Sequence, residues 1–379
     1  MPVLKTGAVL CLLLSTFLVL AHARGRNEAA PAARLDSGAV PQQLPPYQNR
    51  FGRERPVVAV IGENGGTEMT DFIIPYSILS DADVAEVHAL GIRPGPVIMR
   101  PTTLQLMPSA SAADFDTRYP EGADYVIVPA VVQRRDPALL AWIAAQGHKG
   151  ATIVSICDGG LVVAQSGLLK GRRATAHWFT EDIRQTEYPD TQWLKNQRYV
   201  VDGSLVSSAG ISAALPTSIA LVEAIAGTER ARRVASRYGI SDWSARHNSE
   251  MFIPRFGVNL RAYAATFYLN GWFHRNEAVG VPVDSGVDDV ALALTMDAFS
   301  RTGRSQAYAL APGTSFRTRN GLTFAAPKPA SPPQRLLPAV PDAPAEDPFD
   351  SVLDRIETAY GSATADGVAY AFEYARKRR

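Results

Sequence analysis

Four runs of apolar β-formers recur in the first two-thirds of the chain, and each is followed by a segment with helical spacing. VVAVIG (57–62) precedes MTDFIIPYSILSDA (69–82), DYVIVPA (124–130) precedes PALLAWIAAQGHKG (137–150), ATIVSIC (151–157) runs into GGLVVAQSGLL (159–169), and RYVVDGSLVSSAG precedes LPTSIALVEAIAG (215–227). Continuous apolar runs belong to strands covered on both faces, and strands joined through helices pair in parallel. This alternation predicts one α/β domain over 56–240 with a mainly parallel sheet. VAEVHAL (84–90) alternates as a further strand, VIMR and TLQLMP form a short strand pair, and RATAHW adds another strand.

The N-terminus reads as an export signal over 1–23. MPVLK is a short positive region, GAVLCLLLSTFLVLA an apolar run of 15 residues, and Ala21-His22-Ala23 a small-residue cleavage pattern. A retained anchor is the alternative, although a membrane span needs roughly 20 apolar residues. Residues 24–55, rich in Ala, Pro and Arg without periodicity, read as a disordered tether. The expected location is periplasmic or extracellular, with membrane association only if the signal persists. Cys11 lies within the signal, so cleavage after Ala23 would leave Cys157 as the one cysteine, unable to form an internal disulfide. A formal charge of +1 supplies no basic field for nucleic acid. No His/Cys/Asp cluster at ligand spacing suggests a metal, no phosphate-loop or dinucleotide fingerprint occurs, and no cofactor is expected.

In VSICDGG (154–160) a strand ends in a cysteine and turns at once into a helix. That is the form of a nucleophile elbow, in which small residues two before and two after the nucleophile permit a tight turn; Ser155 and Gly159 hold those places. Free N–H groups at the helix start would favour a thiolate and could hold an oxyanion. A small buried side chain at a strand end fits the local pattern equally well.

SICDGGLVVAQSGLLKGRRATAHW resembles the elbow segment of the ThiJ/PfpI superfamily, within the class I glutamine amidotransferase-like fold, and is most similar to the amidase-like domain of AraC-type regulators and to isonitrile hydratases. LVSSAGISAALPTSIALVEAIAG (205–227) resembles the last strand, loop and helix of those domains. The resemblance covers roughly 57–240 and implies a flavodoxin-like doubly wound sheet with Cys157 as nucleophile. It places a carboxylate in the first helix beside the sulfur. In TEMTDFIIP that acid is Asp71, with Glu68 one turn earlier as the fallback. The backbone N–H of Asp158 would face an oxyanion, and Gly66, Gly159, Gly210 and Ile211 would line the small-molecule site. His177 would lie beside the sheet, with a lesser claim on the chemistry. Peptidases of the superfamily carry histidine after the cysteine and isonitrile hydratases typically threonine. Asp158 is neither, and a carboxylate facing the sulfur would raise its pKa.

The C-terminal third reads as a truncated second copy. LSDADVAEVHAL (79–90) lines up with FSRTGRSQAYAL (299–310) at an offset of 220, and TTLQLMP (102–108) with NGLTFAAP (320–327) at nearly the same offset. RVASRYG (233–239) lines up with RIETAYG (355–361) at an offset of 122, so about 98 middle residues would be missing, the counterparts of Cys157 and His177 among them. The expected organisation is a connecting helical segment over 241–280, with its aromatics mainly in core packing, then a degenerate repeat over 281–379 with a Pro-rich gap at 327–347. The functional expectation is an exported hydrolase or hydratase acting on a small amide-, carbonyl- or isonitrile-type substrate. The other reading is a non-catalytic extracytoplasmic ligand-binding or redox-sensing module. A small molecule is the expected partner and nucleic acid is not; the resemblance makes a homodimer an available assembly.

Overall fold

The structure is a computed structural model that describes residues 42–340 and 347–377. The signal segment 1–23 and the first part of the tether, 24–41, lie outside the described residues.

In chain order the first unit comprises β1 (Val57–Gly62), β2 (Thr67–Glu68), α1 (Met69–Asp81), β3 (Glu86–Gly91), β4 (Val97–Arg100), β5 (Gln105–Met107), β6 (Ala110–Ser111), α2 (Ala112–Arg118), β7 (Tyr125–Val128), α3 (Pro137–His148), β8 (Thr152–Ser155) and α4 (Gly159–Gln165). It continues with β9 (Arg173–Ala174), α5 (Glu181–Glu187), β10 (Gln192–Trp193), β11 (Tyr199–Asp202), β12 (Leu205–Ser208), α6 (Ala214–Ala226) and α7 (Thr228–Arg237). Seven strands form one sheet in the order β11-β12-β8-β7-β1-β3-β6. Every neighbour pair is parallel except β11 with β12.

Alternate residues of each strand enter opposite layers, which is why the runs are apolar throughout. Val58, Val60, Ile127 and Val154 pack with α1 and α6 through Phe72, Ile73, Leu215 and Ile219. Val57, Ala59, Ile61, Val126 and Ile153 pack on the other face with Phe115, Leu139, Ile143 and Val162. Burying each such large side chain contributes about 1.5–3 kcal/mol. The helix after Cys157 is shorter than 159–169 suggested, ending at Gln165 because Gly167 takes φ +88°.

Order does not begin at Pro56. Within 42–55, the Val201 N–H donates to Gln42 Oε1 (2.7 Å), the Tyr47 N–H to the Ala224 carbonyl (2.8 Å), and Arg53 pairs with the buried Asp124 (2.9 Å). This end of the tether lies along the domain because it answers polar groups the domain leaves open.

The second unit holds β13 (Glu277–Pro282), α10 (Asp289–Ser300), β14 (Ser305–Leu310), β15 (Ser315–Arg317), β16 (Thr323–Ala325), β17 (Arg335–Leu336), α11 (Pro348–Tyr360) and α12 (Ser362–Ala371), after the short helices α8 (Leu260–Ala264) and α9 (Asn270–Phe273). Strand β13 begins at 277, so the boundary at 281 cuts through it. The Pro-rich stretch is not an empty gap in its described part: β17 pairs with β13, and Leu337 and Val340 are buried. Starting residues of β13 and α10 lie 220 after those of β1 and α1, and those of α11 and α12 lie 134 after those of α6 and α7. The match of RVASRYG with RIETAYG therefore sets a second helix against a first one. Both helix pairs turn at a glycine of positive φ, Gly227 (+82°) and Gly361 (+86°).

The two units meet along a helix pair and a strand pair. Helix α1 packs on α10, and β5 pairs antiparallel with β16 so that Leu106 faces Phe324. The aromatic segment is only partly core: Phe252 and Tyr263 are buried, whereas Phe256, Phe267, Trp272 and Phe273 are exposed.

Candidate functional site

Cys157 sits two residues after the end of β7's neighbour β8, with φ +56°, a backbone state that L-residues other than Asn and Asp rarely adopt. The turn closes because Gly159 has no side chain: a Cβ there would lie 2.0 Å from the Val128 carbonyl oxygen. The Cys157 N–H donates to the Ala209 carbonyl (3.1 Å), tying the elbow to the end of β12. Cys157 is 6% exposed.

Asp71, in the first turn of α1, is fully buried. Its Oδ2 accepts the Ala130 N–H (3.1 Å) from the loop after β7, and its Oδ1 has no hydrogen-bond partner. Burial, then the charge of Glu68, holds the Asp71 carboxyl well above the usual range. The helix, the loop and the elbow thus bring Asp71 and Cys157 into electrostatic contact, since Asp71 is the largest charge acting on the thiol.

The expectation of a helix-stabilised thiolate is not met. Burial, then the carboxylates of Asp71, Asp158 and Glu68, push the Cys157 thiol well above its ordinary value. The first N–H groups of α4 cannot offset this because they are already engaged: Gly159 donates to Ile156, Gly160 to Cys157 and Leu161 to Asp158. The Asp158 N–H is the backbone group that acts on the sulfur to lower its pKa. The Asp158 side chain accepts from the Thr180 hydroxyl (2.6 Å), and burial raises its own carboxyl.

His177 has no nitrogen to spare. Its Nδ1 accepts the Phe179 N–H (3.1 Å), and its Nε2 faces the Ala371 carbonyl (3.0 Å), which requires that nitrogen to carry the proton. Gly210 is close to the elbow, but its N–H donates to the Glu373 carboxylate (2.7 Å), and a Cβ there would meet His177 and Glu373. Ile211 is a buried core residue. The Gly66 carbonyl accepts the Val132 N–H (2.8 Å), so this glycine braces the loop beside Asp71.

Several site groups carry no motif in the sequence. Arg301 pairs with Glu68 (2.6 Å) and with Asp297 (2.5 Å), and the Thr70 hydroxyl donates to Asp297 (2.9 Å). The second unit thereby fixes the carboxylate next to Asp71. Glu373, buried at φ +57°, also contacts His247 (2.9 Å), whose charge and hydrogen bond hold its carboxyl low against burial. Arg184 lies buried near Asp158. One cue was available: Asp297 stands late in the mostly apolar DVALALTMDAFS, and an acid buried inside a helix needs a polar or cationic partner. Among the described residues no group of three or more His, Cys, Asp or Glu could hold a metal ion.

Residues 57–224 match the family model described as the DJ-1/PfpI family. Over 127 residues the chain is 32% identical to the HTH-type transcriptional regulator CdhR of Pseudomonas aeruginosa, covering 33% of this chain and 38% of that one. Over 173 residues it is 29% identical to isonitrile hydratase of Pseudomonas putida, covering 44% of this chain and 71% of the relative. The chain therefore spans little more than a third of the regulator's length. The crystal structure of Drosophila melanogaster DJ-1beta is similar at 22% identity and a TM-score of 0.45, covering 50% of this chain and 100% of that one.

Proposed function

Residues 57–224 are a DJ-1/PfpI family domain, and from that premise we propose that the protein is an exported enzyme whose Cys157 attacks a small amide, carbonyl or isonitrile carbon. The observation that carries this reading is the pairing of a strained elbow cysteine with a buried carboxyl that burial raises and whose Oδ1 has no hydrogen-bond partner. Burial and the neighbouring carboxylates raise the Cys157 thiol well above its ordinary value, so the thiol must lose its proton as it attacks. For an amide, Sγ forms a bond to the carbonyl carbon while its proton passes toward the departing nitrogen, with Asp71 as the relay. The oxyanion is met by the Asp158 N–H. Water then displaces Sγ from the thioester and returns the proton to the sulfur. For an isonitrile, the terminal carbon accepts Sγ and the proton to give a thioimidate; water then adds to that carbon, the C–Sγ bond breaks with the thiol reprotonated, and the N-substituted formamide leaves. Peptide cleavage is not expected, because Asp158 stands where the peptidases hold a histidine base.

A ligand-binding or oxidant-sensing module is the second reading, favoured by the likeness to a transcriptional regulator and by the slight exposure of Cys157. We read residues 277–371 as a reduced copy of the first unit that lacks the elbow, and the segment 1–23 as the export signal.

The test is the rate of Cys157 alkylation against pH, with turnover of candidate substrates by Cys157→Ser. The folded chain should react with an apparent pKa above the ordinary thiol value of about 8.5, and Cys157→Ser should be inactive. A thiol that reacts only after unfolding would sink the nucleophile. Reactivity with unchanged turnover in Cys157→Ser would leave the sensor.

A further inference from the structure

Arg184 is an anomaly in an interior where buried cations are paired. It is 5% exposed, and two of its donor atoms, Nε and Nη1, are buried without a hydrogen-bond partner. Its guanidinium lies 5.3 Å from the Trp193 ring centre, which covers one flat face. It lies one turn along α5 from Thr180, whose hydroxyl holds the Asp158 side chain (2.6 Å) next to Cys157, and this places it beside the elbow.

The carboxylates whose charges act on it do not account for its open donors, because each is engaged elsewhere. Asp158 accepts from Thr180 (2.6 Å), Glu373 from Gly210 (2.7 Å) and His247 (2.9 Å), and Glu181 pairs with Lys195. Among the described residues none of them forms an ion pair with Arg184. A buried guanidinium left with open N–H groups costs free energy, and a planar anion that accepts from them recovers it. The surroundings otherwise repel anions, since Asp71, Asp158 and Glu68 all bear on the sulfur.

We propose that Arg184 is the specificity residue of this site and selects substrates that carry a carboxylate close to the carbon attacked by Cys157. The inference rests on the nucleophile reading of Cys157, and it narrows the substrate class from small electrophiles in general to anionic ones.

Iodoacetate and iodoacetamide test it, being nearly equal in size and different in charge. Their rates at Cys157 are measured by mass spectrometry on the folded full chain and on the urea-unfolded chain. The iodoacetate-to-iodoacetamide ratio should be about tenfold higher in the folded chain than in the unfolded one. Arg184→Met should bring it to the unfolded ratio or below, and Arg184→Lys should restore part of it. A folded wild-type ratio at or below the unfolded value overturns the proposal, as does a raised ratio that Arg184→Met leaves unchanged. If neither reagent reaches Cys157 in the folded chain, the nucleophile reading falls by itself. The carboxylate site is then read from thermal stabilisation by acetate, expected in the wild type and absent in Arg184→Met; no stabilisation of the wild type overturns it.

Discussion

At the scale of single residues, the site is a set of groups that burial pushes toward their neutral forms. Asp71 has a raised folded pKa, so its favourable contribution is present below its unfolded value of about 3.9 and is lost as pH rises through the folded value. Asp71→Asn should therefore raise Tm by a few degrees at pH 8, with the gain shrinking toward pH 4, as followed by thermal unfolding across pH. The same variant should lose turnover by about 10²–10⁴-fold if Asp71 moves the proton, while the alkylation pKa of Cys157 falls because a repelling carboxylate is gone. These two readouts move in opposite directions, which a merely structural role would not produce. Cys157 and Asp71 were legible in the sequence. Arg184 and Glu373 were not, because their roles come from what surrounds them and no local spacing encodes that.

At the scale of elements, the decisive object is the strand–turn–helix at Cys157. Its geometry depends on how closely α4 approaches β7, and Gly159 makes that approach possible. Gly159→Ala places a carbon within bonding range of the Val128 carbonyl and should destabilise the fold by about 1–3 kcal/mol or more, read from urea denaturation. Gly167→Ala, where φ is +88° with open space around it, should cost less, since only the backbone state resists it. The helix after the cysteine was expected to activate the thiol. It does not, because a 7-residue helix entered through a tight turn uses its first N–H groups to close that turn.

At the scale of the whole molecule, the second unit is part of the site's foundation. It supplies Arg301 to Glu68, Asp297 to Thr70 and Glu373 to Gly210, and it covers the α1 and β5 face. Arg301→Met leaves Glu68 and Asp297 without their cation. It should destabilise the chain toward the low end of about 3–5 kcal/mol, because the Arg301 side chain keeps 23% of its surface exposed. The α1–α10 and β5–β16 contacts cover this face of the first unit within one chain. The full chain should therefore run as a monomer in light scattering, and a dimer built on that face would contradict the arrangement.

The sequence alone determined the layers, the order of the main elements and the position of the elbow. Those follow from apolar period, from glycines that permit a turn, and from strands that need cover on both faces. Tertiary structure decided the direction in which the cysteine's pKa moves, the absence of a free nitrogen on His177, and the spacing of 134 residues between the starts of the two helix pairs. Each of these depends on which distant groups share a dry volume. In a low-dielectric interior Asp71 and Glu68, more than eighty residues away along the chain, set the proton balance at Cys157, and local sequence holds no record of that proximity.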